Sequence, residues 1–210
     1  MPRSSSSSLS PEDRRDLLIR ARRAITEVIR SQILADLPAP AGRLAEPGSA
    51  FVTVHCSGRL RGCVGRVDRS LPLAEVVAQC AIGAVTHDTR FRALQADEVD
   101  EVEIEISVLS ELQPMPPHAL QVGTHGVVVS RAGRRGLLLP QVAAERSWSV
   151  ERFLEETCKK AGLEPGAWRD PQTSLLAFTA EIFSEADLVR HETGSADQPG
   201  VASERKRGSA

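Results

Sequence analysis

From Val102 to Val108 the side chains alternate without a break: Val102, Ile104, Ile106 and Val108 are apolar, and Glu103, Glu105 and Ser107 between them are polar. Successive side chains on a strand point to opposite faces, so this stretch is a strand with one face in a core and the other polar. Helices suited to cover the apolar face stand nearby in sequence. Ser10 is placed as an N-cap, with Pro11 at the first helical position and Asp13 in the first turn; all three suit the positive end of a helix. Leu17, Leu18, Ala21, Ile25, Val28, Ile29 and Ile33 then recur at three- and four-residue steps, one apolar stripe that should end before Pro38.

Phe51 to Cys56, a Ser57-Gly58 turn and Leu60 to Val67 read as a hairpin, and Pro72 starts a helix with Leu73, Val76, Val77, Cys80, Ala81 and Ala84 on one face. The Val102 strand follows. The same order then recurs. Val127 to Ser130, an Ala132-Gly133 turn and Gly136 to Val142 form a second hairpin, and Ser149 caps a helix carrying Val150, Phe153, Leu154, Cys158 and Ala161. Gly162 stands at its C-cap, and Leu176, Phe178, Ala180 and Ile182 alternate as a final strand. The spacing between copies is 75 residues from Phe51 to Gly126 and 73 from Val102 to Leu175. The expected fold is α+β: two pseudo-repeated hairpin–helix–strand halves, about residues 50–110 and 122–184, forming one mixed, largely antiparallel sheet with flanking helices. Residues 10–191 form the domain. Residues 1–9, rich in serine, and 192–210, without apolar periodicity, are expected to be disordered tails.

At 210 residues, one domain is the default. A hydrophobic share of 41% supplies a core, and a net charge of -2 gives no general pull toward phosphate backbones. Five Phe, two Trp and no Tyr leave little for stacking single-stranded bases. Nucleic acid is therefore a poor candidate partner. The start, Met1-Pro2-Arg3 and Ser4 to Ser8, has no apolar core of a secretory signal, and the uninterrupted apolar runs, such as Leu137-Leu138-Leu139, are far too short for a membrane span. A soluble cytoplasmic protein is expected. Cys56, Cys63, Cys80 and Cys158 form no C-x-x-C pair, so reduced thiols are the expectation and no metal or other cofactor is implied. Cys80 and Cys158 fall on apolar helix faces, as small buried hydrophobes.

Leu60-Arg61-Gly62-Cys63-Val64-Gly65 is unusual for a strand, because two glycines in four residues weaken the ladder. One reading is a bulge or close approach of a neighbouring backbone. The other is room for a ligand beside Arg61 and Cys63, which at i and i+2 share a face. A guanidinium beside a thiol favours the thiolate and raises its nucleophilicity.

That segment, with Asp88-Thr89-Arg90-Phe91, Ile104 to Ser110, Val122-Gly123-Thr124-His125-Gly126-Val127, Gly136 to Val142 and Cys158-Lys159-Lys160-Ala161-Gly162-Leu163, resembles the AMMECR-type domain, called protein A of the AmmeMemoRadiSam system in prokaryotes. The six segments occur in order over nearly all of the folded part. Thr89 departs from the family's usual proline, and Val64 replaces a usual isoleucine. The resemblance implies an α+β domain with a cleft between two subdomains, and a role like that of an accessory partner of a radical SAM enzyme and a Memo-type, dioxygenase-like protein. It implies no particular reaction.

Carried over onto this sequence, the family's cleft residues are Arg61, Cys63, Asp88, Arg90, Glu105 and His125, with Cys63 the candidate nucleophile and the others candidate ligand-binding residues. Each has a plainer role. Asp88 can bond turn amides and Arg90 can cap carbonyls; Phe91 reads as core; Glu105 with Glu103 reads as a solvated face; His125 reads as loop polarity. Were its face covered, Glu105 would need a cation, and Arg61 or Arg90 could supply one. Arg59, Arg61, Arg66 and Arg69 near the first hairpin, and Arg131, Arg134 and Arg135 near the second, can converge on a phosphate or carboxylate if the halves face each other. The first functional reading is thus a cleft that binds a small anion near Arg61 and Cys63. A non-catalytic protein-binding adaptor is the alternative, and nucleic-acid binding a second one.

Overall fold

A computed structural model describes residues 8–188. The first helix, α1 (Pro11–Arg30), opens on a capping box: the Ser10 hydroxyl accepts the Asp13 N–H at 3.0 Å, and the Asp13 carboxylate accepts the Ser10 N–H at 3.0 Å. It buries Leu17, Leu18, Ala21 and Ile25. The helix stops at Arg30, where Ser31 turns left-handed (φ 53°), so Ile33 leaves the expected stripe and is fully exposed. The expected tail is also shorter at its inner end. Leu9 is 4% exposed, and both its N–H and the Ser8 hydroxyl donate to Glu181. The remainder of both expected tails lies outside the described residues.

Strands β1 (Ala50–Cys56) and β2 (Arg59–Arg66) meet through Ser57 and Gly58, both at positive φ (49° and 73°), the turn geometry that matches the twist of a hairpin. Helix α2 (Leu73–Thr86) follows, then β3 (Val102–Leu109). Val52, Val54, Ile104 and Ile106 turn one face of these strands onto α1 and α2 and are wholly buried, each contributing roughly 1.5–3 kcal/mol by its removal from water.

In the second half, β4 (Gln113–Pro114) precedes the hairpin of β5 (Gly126–Arg131) and β6 (Arg134–Leu138), joined by Ala132 and Gly133, again at positive φ. The returning strand ends sooner than its sequence pattern implies. Pro140 has no N–H for a ladder and opens a short helix, α3 (Pro140–Glu145). Helix α4 (Val150–Lys160) is capped by Ser149, whose hydroxyl accepts the Arg152 N–H. It packs Phe153, Leu154 and Cys158 against Val127, Val129 and Ala177. The last strands are β7 (Ser174–Phe178) and β8 (Ala180–Ser184).

These strands build two four-stranded sheets, β2-β1-β3-β8 and β4-β7-β5-β6, with every pairing antiparallel, in place of the single mixed sheet expected. The division has a local cause. The chain leaves the first sheet between β3 and β4 and returns to it between β7 and β8, and the two crossings lie side by side. Leu109 faces Ala180 and Gln113 faces Ala177, so residues 110–112 oppose only 178–179. The extra residue breaks the ladder and bends the pair. Ser110 and Thr179 hold the bend: the Ser110 N–H donates to the Thr179 carbonyl and the Thr179 N–H to the Ser110 hydroxyl, both at 2.9 Å. The strand read as one run from Leu176 to Ile182 is thereby split between two sheets. Beside the bend, Phe51, Val67, Leu109, Val128, Leu137 and Phe178 pack together and join the halves.

Candidate functional site

The glycines of β2 have structural partners. A Cβ on Gly62 would stand 2.0 Å from the Ala84 carbonyl oxygen of α2, and one on Gly65 would stand 2.2 Å from the Phe51 ring. Their absent side chains let a helix and a ring close on the strand, so the glycines themselves open no room for a ligand. Gly62 and Val64 face α2, which turns Arg61 and Cys63 to the opposite, polar face.

On that face the register sets a row. Cys63 is opposite Thr53 of β1, Thr53 is opposite Glu105 of β3, and Glu105 is opposite Ser184 of β8. The Thr53 hydroxyl donates to the Cys63 Sγ at 3.4 Å. Cys63, Thr53 and Glu105 are all half-buried.

Asp88 and Arg90 complete the Cys63 end. β2 is an edge strand, and the Cys63 N–H donates to Asp88 Oδ2 at 2.9 Å. Arg90 grips the same carboxylate with Nε on Oδ1 at 2.9 Å and Nη2 on Oδ2 at 2.6 Å. This planar two-point grip is the main reason the Asp88 carboxyl is held far below the usual carboxylate range. The Arg90 side chain stays 56% exposed and lies over the Phe91 ring at 5.3 Å. Phe91 is half-buried and supports this arginine instead of filling the core.

Arg61 shares the face of Cys63, but its guanidinium is committed elsewhere. Nε and Nη2 bond the Glu98 carboxylate at 3.4 and 3.3 Å, Nη1 bonds the Arg92 carbonyl at 2.7 Å, and Nη2 bonds the Ala93 carbonyl at 3.3 Å. It fastens the loop that carries Asp88 and Arg90. The other arginines do not converge either: Arg66 bonds Gln79, Asp68 and Ser70, Arg69 pairs with Glu111, Arg131 with Asp170, and Arg134 bonds the Gly162 carbonyl. Each is engaged by a different group, and Arg69 Nη1 is buried without a hydrogen-bond partner among the described residues.

Glu105 receives neither of the cations its burial called for. Arg61 is held by Glu98 and Arg90 by Asp88. Among the described residues its carboxylate has no hydrogen-bond or ion-pair partner. Burial raises its pKa; His55 opposes this, while Glu103, Glu145 of α3 and Asp187 add to it. His125 sits in the turn before β5, where its Nδ1 accepts the Gln121 N–H at 3.0 Å. Among the described residues, no hydrogen bond or ion pair joins it to the Cys63 row, and no group of three or more His, Cys, Asp and Glu side chains is arranged to hold a metal ion.

The residue that sequence reasoning passed over is Lys160, at the last position of α4. Its neighbour Lys159 pairs with Glu156 at 2.7 Å, whereas Lys160 has no ion pair among the described residues. Its side chain meets solvent, yet desolvation by surrounding protein lowers its pKa; Cys63 opposes this, and Arg90 adds to it to a lesser degree. The second half thus sets an ammonium within electrostatic reach of the thiol and guanidinium of the first. The only signal for it in the sequence was its place in the Cys158 to Leu163 segment.

The AMMECR1 family model matches residues 18–183. A protein of Methanothermobacter thermautotrophicus is 39% identical over 188 residues, covering 84% of this chain and 96% of its own length. Protein TK0174 of Thermococcus kodakarensis is 40% identical over 183 residues, covering 81% of this chain and 89% of its own. The crystal structure of the uncharacterised protein PH0010 from Pyrococcus horikoshii superposes with a TM-score of 0.75 at 36% identity, covering 80% of this chain and 89% of that one. A match of this extent, over both sheets and the segments that build the Cys63 row, places the chain in the AMMECR1 family.

Proposed function

We propose that the polar face around Cys63 binds a small anionic molecule, a carboxylate or a phosphate, and presents it to the thiol. The observation that carries this reading is Lys160. An ammonium with no ion pair among the described residues, partly desolvated and within electrostatic reach of both the Cys63 thiol and the Arg90 guanidinium, is placed to share an anion with that guanidinium. Arg90 suits the role, since Asp88 fixes its orientation while more than half of its side chain stays open to solvent. Arg61 moves from ligand contact to positioning, through the loop it fastens. An accessory role beside radical SAM and Memo-type proteins fits a domain that binds and presents a metabolite while a partner performs the chemistry.

Isothermal titration of the full chain with inorganic phosphate, malonate and succinate tests the reading, with iodoacetamide alkylation of Cys63 as a second readout. At least one compound should bind the wild type, slow alkylation of Cys63, and bind Lys160→Met about 10-fold more weakly. Absence of binding by all of them, or equal affinity in the variant, overturns it.

A further inference from the structure

The row that begins at Cys63 does not end in the same kind of chemistry. Two strands away it reaches Glu105, whose carboxylate has no cation or hydrogen-bond donor in contact among the described residues. Among the described residues the charges that act on it are His55 on its own sheet, Glu103 on its own strand, Glu145 from α3 and Asp187, the last already engaged by the Ser184 N–H and hydroxyl. Glu103 and Glu145 alone outnumber the one imidazole, so the field there favours a cation.

A second observation points the same way. Ser107 follows Glu105 by two residues on β3 and so lies on the same face; it is 1% exposed, and its Oγ has no partner among the described residues. Buried hydroxyls are rarely left unpaired. An uncompensated carboxylate and a vacant hydroxyl side by side are what a group with several N–H donors satisfies.

We infer that the ligand of this site is a zwitterion, with its anionic group toward Lys160 and Arg90 and a protonated amine at Glu105 beside Ser107. This rests on the anion-binding reading above and adds the second pole. The length of the ligand follows from the sheet. Arg90 stands at the Cys63 end of the row, because Asp88 Oδ2 accepts from both the Cys63 N–H and Arg90 Nη2, and Cys63 and Glu105 are separated by two strand spacings, about 10 Å. An extended peptide advances roughly 3.3–3.6 Å per residue, so two or three residues span that distance. The ammonium and carboxylate of a single α-amino acid are too close together to meet both poles. The ligand class is an amino carboxylate with well-separated charges, either a di- or tripeptide or an ω-amino acid.

Titration of the full chain with aminocaproate, triglycine and their amine-blocked or amine-lacking counterparts, caproate and N-acetyl-triglycine, separates the two poles. The zwitterions should bind the wild type about 10-fold more tightly than the counterparts, and Glu105→Gln should erase that difference. A preference for triglycine over aminocaproate identifies a peptide, and the reverse an ω-amino acid. Because Glu105→Gln removes an unfavourable charge, a thermal melt should show it folded. If caproate matches aminocaproate and N-acetyl-triglycine matches triglycine, with Lys160→Met weakening all four, the amine pole is refuted and the anion site stands. If the zwitterion preference survives in Glu105→Gln, the assignment of the amine to Glu105 is refuted. If none of the four binds, the zwitterion reading falls, and the titration with phosphate, malonate and succinate alone decides the anion site.

Discussion

The carboxylate of Asp88 accepts the backbone N–H of Cys63 across 25 residues of chain, at 2.9 Å. An edge strand normally leaves such a donor to water or to another chain. Here it fixes the loop bearing Arg90 to the strand bearing the thiol, alongside the bonds from Arg61 to Glu98 and to the Arg92 and Ala93 carbonyls.

Replacing Asp88 by Asn should cost about 1–3 kcal/mol of unfolding free energy near neutral pH, because the Arg90 grip is charge-assisted and the carboxylate is 6% exposed. The folded-state pKa is depressed, so this stabilisation is complete above the unfolded value near 3.9 and is lost as pH falls below it toward the folded value. Urea denaturation at a series of pH values should show wild type and variant separated at about pH 7 and converging below about pH 4. Curves separated by the same amount at all pH values would contradict the role given to the ionised group.

The opposite sign holds for Glu105. Burial raises its folded-state pKa, so the folded state is penalised once pH rises past the unfolded value near 4.3. Glu105→Gln should therefore raise Tm at about pH 7 and leave it unchanged at about pH 3, where the carboxyl is protonated in both states. A Tm unchanged or lowered at neutral pH would mean that the carboxylate is compensated in the fold.

Gly62→Ala places a methyl group against the backbone of α2, at 2.0 Å from the Ala84 carbonyl oxygen before any relaxation. Neither the strand nor the helix backbone yields cheaply, so the expected loss is about 1–3 kcal/mol or more. Chemical denaturation measures it directly. A variant as stable as the wild type would show that β2 does not press on α2.

The four cysteines should separate into two classes. Burial raises the Cys80 thiol to about 11 and pushes Cys158 upward, and these residues are 1% and 0% exposed. Cys56 and Cys63 are half-buried. Brief iodoacetamide treatment of the native protein followed by peptide mass spectrometry should find Cys56 and Cys63 alkylated and Cys80 and Cys158 untouched until denaturant is added. Comparable labelling of Cys80 would contradict the packing of α2 on the first sheet.

Local rules settle much of this molecule. Ser10 and Ser149 cap their helices where the sequence places them, Ser57-Gly58 and Ala132-Gly133 turn their hairpins, and the Val102 to Val108 alternation becomes a strand with one face in the core. These features follow from interactions within a few residues. The break at Thr179 does not, because Leu176 to Ile182 alternate as one strand, and the split arises from an unequal number of residues on the partner crossing at 110–112. Pro140 was a local signal for α3, masked by the apolar run before it.

The site divides along the same line. Arg61, Cys63, Asp88, Arg90 and Glu105 stand out as residues of sequence, and the identity of the strands and loops that carry them is fixed there. Which partner each one takes is not: Glu98 captures Arg61, Asp88 captures Arg90, Glu105 goes without either, and Lys160 arrives from the other half. Charge pairing is decided by which groups a fold brings within a few ångströms, and that depends on the packing of two sheets that meet at a single bend.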